Sequence, residues 1–203
     1  MSIAAAYFDM LSLGLRLSDL VEGFSRAEMH LFAYAGCLLS LYEGQPTADW
    51  GYEFVSTDNG LPFARELNEC IESGVTLGHL HQHQSLIVVT ADGRAELDGL
   101  RQLTELRARE RYLEGATDSL LVLNPGNVRE ALTYDPAISF LKNNNRTDWV
   151  LTPPVVERFY ENFRELRAAL AYDTRDLSVP LVGWLKYLLY TGRSELNVRP
   201  ATS

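Results

Sequence analysis

The chain has 203 residues, 46% of them apolar and 22% charged, which is the make-up of a globular protein long enough to bury a real core and excludes a disordered or fibrous one. Its net charge of -9 is unevenly placed: residues 1–90 hold 11 acids against 3 arginines and no lysine, while residues 91–203 hold 16 acids against 15 bases. Nucleic-acid binding draws on a basic surface that neutralises phosphates and releases counterions, and the first 90 residues are a poor source of one.

Residues 3–21 are apolar and helix-permissive, with Asp9 as the interruption. No cationic segment precedes them, so they do not read as a signal peptide. No apolar run of 18 residues suggests a membrane span, and the expected location is the cytoplasm. Cys37 and Cys70 each sit in an apolar helical pattern, as small buried hydrophobes do in a reducing compartment.

Ser25 and Glu28 have the spacing of a capping box. Leu31, Phe32, Ala35, Leu38, Leu39 and Tyr42 then predict one buried face of a helix over 25–43, with His30 beside that face. Trp50, Tyr52 and Phe54 alternate, which predicts a short strand. After the turn signal Asp58-Asn59-Gly60, Pro62 suits the first turn of a helix. That helix carries Phe63, Leu67, Cys70 and Ile71 as its stripe and Gly74 as its stop. "VTLGHL" and "QSLIVVT" predict a β-hairpin around "HQH". Thr90 or Asp92 then caps one long helix to about Gly115. Its later half, dense in Arg and Glu, reads as a solvated or interfacial face.

"LNPGN" at 123–127 reads as a turn, 128–145 as a helix broken near Pro136, and 143–148 as a loop. Thr152, Pro153 and Pro154 open a helix with a heptad-like stripe of Val156, Phe159, Phe163, Leu166 and Leu170. Ser178 and Pro180 open the last helix, apolar over most of its girth, and Gly192 ends it. The order over 25–113 (helix, short strand, helix, hairpin, helix) is that of a winged helix. The expected fold class is therefore mainly α (α+β): a winged-helix domain over 1–113 and a helical extension over 114–203.

Three of the four histidines, His79, His81 and His83, recur two apart. On a strand they would share one face, with neighbours about 7 Å apart and the outer pair roughly 13 Å apart, too far to share one ion easily. The plainer identity is a polar wing strand. The helix over 62–73 would be the recognition helix of a DNA-binding relative. Its outward positions Arg65, Glu66, Asn68, Glu69 and Glu72 are mostly acidic, so the face reads as a protein interface, with Arg65, Glu69 and Glu72 as candidates, or as merely solvated, rather than as one that contacts a duplex. Phe159, Phe163, Leu166, Trp184, Leu185, Tyr187 and Leu188 on the C-terminal helices are either core or a second interface. No phosphate-loop, dinucleotide or nucleophile-elbow motif occurs. No catalytic, cofactor or metal residue is assigned.

The block Trp50-x-Tyr52-x-Phe54, then Gly60-x-Pro62-Phe63 with Leu67, Ile71 and Gly74, then "LIVVTADG" through Thr90 and Gly93, resembles a bacterial winged-helix group. It looks most like the middle component of ABC-type three-component systems, among them the Lamassu-type anti-phage systems. The resemblance covers about residues 25–105; Leu61 between Gly60 and Pro62 departs from the tighter Gly-Pro pattern. It implies a non-enzymatic adapter beside an SMC-like or Rad50-like ATPase and a nuclease-type effector, with no strong DNA binding by the isolated chain. Two other classes stay open. One is a transcription regulator or antitoxin whose basic face would come from Arg101, Arg107, Arg109 and Arg111. The other is a metal-dependent enzyme built on His79, His81 and His83.

Overall fold

The computed structural model describes residues 2–21, 23–143, 148–170 and 175–198. Within them the chain is mainly helical with two small antiparallel ribbons. The order is α1 (Ser2–Leu20), α2 (Arg26–Tyr42), β1 (Val55–Ser56), β2 (Pro62–Phe63), α3 (Arg65–Thr76), β3 (Leu80–His83), β4 (Leu86–Val89), α4 (Ala91–Leu100), α5 (Thr104–Asp118), α6 (Pro125–Thr133), α7 (Pro136–Asn143), α8 (Pro153–Leu170) and α9 (Ser178–Val198). Short 3₁₀ turns occupy Thr47–Trp50 and Ser119–Leu121.

Two helices run through the middle. In α1 every residue from 8 to 14 is buried, because α3, α4, α5 and β4 all pack on it. In α2 every residue from Met29 to Tyr42 is buried, so the single buried face expected from the spacing is in fact the whole circumference, as suits a central helix. The capping box is present: Ser25 Oγ accepts from the Glu28 N–H at 3.2 Å, and Glu28 Oε2 accepts from the Ser25 N–H at 2.7 Å. Such a cap contributes about 1 kcal/mol. On its other sides α2 meets α5 and α8, and α9 lies across α5 and α6.

Trp50, Tyr52 and Phe54 do not form a strand. Their alternation is a burial pattern: all three rings are inside, and the run passes from the 3₁₀ turn through a left-handed Gly51 and a bend at Tyr52. The ribbon forms one step later, where Val55 pairs with Phe63 and Ser56 with Pro62. The Phe54 carbonyl accepts from the Val150 N–H at 2.8 Å, which fastens this run to the approach to α8. Because Pro62 and Phe63 are held in β2, the helix expected to start at Pro62 starts at Arg65. Gly74 lies inside α3, and the chain turns instead at Gly78, whose φ of 77° is open to glycine at no steric cost.

The helix expected from 91 to 115 is two, broken at 101–103 so that α4 lies on α1 while α5 turns onto both α1 and α2. Thr90 is the cap of the first, accepting from the Gly93 N–H at 3.1 Å. Asn124 is not in a free turn but caps α6, accepting from the Asn127 N–H at 2.8 Å with Pro125 in the first turn. The break before Pro136 is as read. Of the expected loop, residues 144–147 lie outside the described residues. In α9 the capping acceptor is Asp176, bonded to the Ser178 N–H at 2.9 Å. The helix runs past Gly192 to Val198; Gly192 is needed for contact, since a Cβ there would sit 2.2 Å from Tyr134 Cγ. The division expected at residue 113 falls inside α5, and core side chains on both sides of it belong to one cluster.

Candidate functional site

The hairpin separates the three histidines. His79 precedes β3, and its Nδ1 is hydrogen-bonded to the Tyr7 hydroxyl of α1. His81 and His83 lie on β3 opposite Val88 and Leu86, and both are exposed. The expectation of three imidazoles on one strand face is corrected: His79 faces the body of the protein. Among the described residues no group of three or more His, Cys, Asp or Glu side chains is placed to hold a metal ion. His30 is buried against Phe63; its Nδ1 accepts from the Ala64 N–H at 3.2 Å, and burial lowers its pKa to about 4. It is a neutral structural imidazole that fixes the start of α3.

The outward side of α3 is acidic and tied to its neighbours. Arg65 pairs with Glu69 at 2.8 Å along the helix. Arg26, from the first turn of α2, reaches Glu72 at 3.3 Å and Gln82 of β3 at 3.1 Å. Arg16 pairs with Glu114 and Asp118. All three arginines of residues 1–90 are thus held by carboxylates, and each exposed pair is worth no more than about 1 kcal/mol. Asp49, Glu53 and Glu66 in the same half have no ion-pair partner among the described residues.

Those three carboxylates gather around Gly51. On one side of it lies a cleft of about 430 Å³ with Cys37, Tyr52 and Phe54 as its floor, Trp149 and Leu151 as one wall, and Glu53 and Glu66 among its lining. Burial pushes the Cys37 thiol up to about 12, so it is an inert thiol rather than a nucleophile. Trp149 is 55% exposed. On the other side of Gly51 a hollow of about 470 Å³ is lined by Asp49, Glu105, Leu103 and the flank of Arg109.

Beneath both runs a buried polar network that the sequence reading missed. Asp9 is fully buried; its carboxylate accepts from Arg109 Nε at 2.7 Å, Arg109 Nη2 at 2.6 Å and the Tyr52 hydroxyl at 2.6 Å. Arg109 Nη1 donates to the Trp50 carbonyl at 2.9 Å, and its guanidinium lies 4.1 Å from the Trp50 ring centre. Burial works against the Arg109 charge, but Asp9 outweighs it and holds the pKa above the ordinary arginine value. The network joins α1, the Trp50 turn and α5, and so sets the floor of the cleft. The signal was legible: Arg109 falls between Leu106 and Leu113 at helical spacing, and Asp9 stands alone in an apolar run.

The basic face required of a DNA-binding regulator is largely absent from where it was expected. Arg109 is buried, Arg101 pairs with Asp98 and Glu110, and Arg111 pairs with Glu43. The α5 run read as a solvated or interfacial face is in part the protein's core. The C-terminal candidates are also mostly interior: Phe159, Phe163, Trp184, Leu185 and Leu188 are buried, with Phe163 ring-to-ring against Tyr42 and Trp184. Leu166 is half-buried, and Tyr187 alone of the set is largely exposed. Near them lies Asp135, fully buried with no ion-pair partner among the described residues. It accepts from the Ala137 N–H at 2.9 Å and the Tyr34 hydroxyl at 3.3 Å. The Trp184 indole approaches the same carboxyl, yet its Nε1 and Asp135 Oδ2 both fall short of a full hydrogen bond. Burial raises this carboxyl to about 7.

No family model, no curated protein and no solved structure matches the chain. No helix among the described residues is long and apolar enough to cross a membrane.

Proposed function

We propose that the chain is a non-catalytic adapter that engages a protein partner through its acidic N-terminal half. One observation carries this reading. Every arginine of residues 1–90 is bound within the molecule, whereas Asp49, Glu53 and Glu66 have no ion-pair partner among the described residues and line the cleft and the hollow on either side of Gly51. A duplex is repelled by such a surface, while a basic protein surface is attracted to it. We place the chain beside an SMC-like ATPase and an effector, in a cytoplasmic anti-phage complex of the Lamassu type, with the α3–hairpin portion as a winged helix. That finer assignment rests on the resemblance of residues 25–105.

The test is co-expression of the full chain with an SMC-like ATPase of a Lamassu-type system. A stoichiometric complex on size exclusion is expected. Salt-sensitive, nanomolar DNA binding by the chain alone in a gel shift would overturn the reading in favour of the regulator.

A further inference from the structure

The cleft at Gly51 has more character than an acidic patch. Its floor is apolar, from Tyr52 and Phe54, and one wall is the half-exposed indole of Trp149. Its two carboxylates come from different segments: Glu53 from the connection after the Trp50 turn and Glu66 from the first turn of α3. An occupant matching this lining has an apolar stem, a flat delocalised cation and several hydrogen-bond donors. Arginine has all three: its stem packs on aromatic carbon, its guanidinium stacks on an indole, and its fork of N–H groups suits carboxylates. The hollow across Gly51 continues the same sign of charge with Asp49 and Glu105, neither of which has an ion-pair partner among the described residues. Arg109, which lines that hollow, is already neutralised by Asp9.

We propose that the cleft seats an arginine side chain from an extended basic segment of the partner protein. The guanidinium lies against Trp149 between Glu53 and Glu66, and the segment crosses Gly51 toward Asp49 and Glu105. The identity of the occupant as a protein rests on the adapter reading; the cation selectivity of the cleft does not.

The probe is a capped Gly-Arg-Gly-Arg-Gly peptide, compared with the same peptide carrying citrulline, which keeps the shape and loses the charge. Binding is read by calorimetry and by tryptophan emission, since Trp50 and Trp184 are buried and Trp149 is the exposed indole. The arginine peptide is expected to bind, with citrulline at least about ten-fold weaker and with a loss of similar size in the Glu53→Gln/Glu66→Gln variant. Both substitutions are at the surface, and an unchanged thermal melt verifies the fold; Trp149→Ala, read by calorimetry, is the second variant and is also expected to weaken binding. Equal binding of citrulline, undiminished binding by the double variant, or equal competition by spermidine would each overturn the proposal. If the peptide binds and the ATPase does not associate, the cleft stands and the adapter reading falls. If the ATPase associates equally well with the double variant, the adapter reading stands and the cleft falls.

Discussion

Breaking one half of the Asp9–Arg109 pair should be far worse than removing the whole of it. In Arg109→Met the Asp9 carboxylate stays fully buried with the Tyr52 hydroxyl as its remaining donor, and in Asp9→Asn the guanidinium stays buried with no counter-charge. Stranding a buried ion in this way costs about 3–5 kcal/mol, a large part of the roughly 5–15 kcal/mol that holds a domain folded. The triple variant Asp9→Leu/Arg109→Met/Tyr52→Phe removes the charges together with the hydroxyl that would otherwise lose its acceptor. It leaves only the Trp50 carbonyl short of a donor, at a cost of about 1–3 kcal/mol. Urea unfolding followed by circular dichroism should therefore place the triple variant about 2 kcal/mol above either single variant, with an unchanged denaturant slope. Single variants costing under about 1 kcal/mol, or a triple variant as unstable as the sum of its parts, would refute the view that desolvated charge dominates here.

The Asp135 carboxyl gives a pH signature. Burial raises it from 3.8 to about 7, so the folded chain keeps a proton that the unfolded chain has released. Its contribution to stability is full below pH 3.8 and is lost as pH rises to about 7, by about 1.4 kcal/mol per pH unit in that window. His30, lowered from 6.5 to about 4, works oppositely, its contribution being lost as pH falls toward 4. The stability advantage of wild type over Asp135→Asn isolates the carboxyl: it should shrink as pH rises to about 7 and then level off, and a constant difference would exclude the assignment. Gly192→Ala should cost about 1–3 kcal/mol in a thermal melt because its Cβ overlaps the Tyr134 ring. Thr90→Ala should cost about 1 kcal/mol by the same assay, through loss of the α4 cap.

Local chemistry was legible in the sequence and long-range pairing was not. The Ser25–Glu28 box, the Thr90 cap and the break before Pro136 are decided by residues within a few positions of one another, and the structure has them where they were read. The hairpin was legible as an element, but the facing of His79 was not, since it depends on Tyr7, 72 residues earlier. The end of α3 was misplaced for a similar reason. Gly74 is small because Met10 packs beside it, not because the helix stops there. Arg109 was counted with a charged, solvated run although it interrupts the Leu106–Leu113 stripe; only its meeting with Asp9 makes it an interior residue. The cleft around Gly51 was beyond reach, because Glu53, Glu66 and Trp149 are brought together by three separate connections.

Asp9 and Arg109 are 100 residues apart, and that separation has a consequence for synthesis. A ribosome adding about 5–20 residues per second delivers Arg109 about 5–20 s after Asp9. Through that interval α1, α2, the hairpin and α4 can be present while the charge that makes the α1 position tolerable is still absent. The apolar flanks of α1, Phe8, Met10 and Leu11 among them, can meet α3, α4 and β4 in that interval, but the side that packs on α5 stays uncovered. The burial of α1 is complete only once α5 has emerged. A polypeptide ending near residue 103 would carry nearly all of the hairpin-bearing region and still lack the residue that lets α1 close.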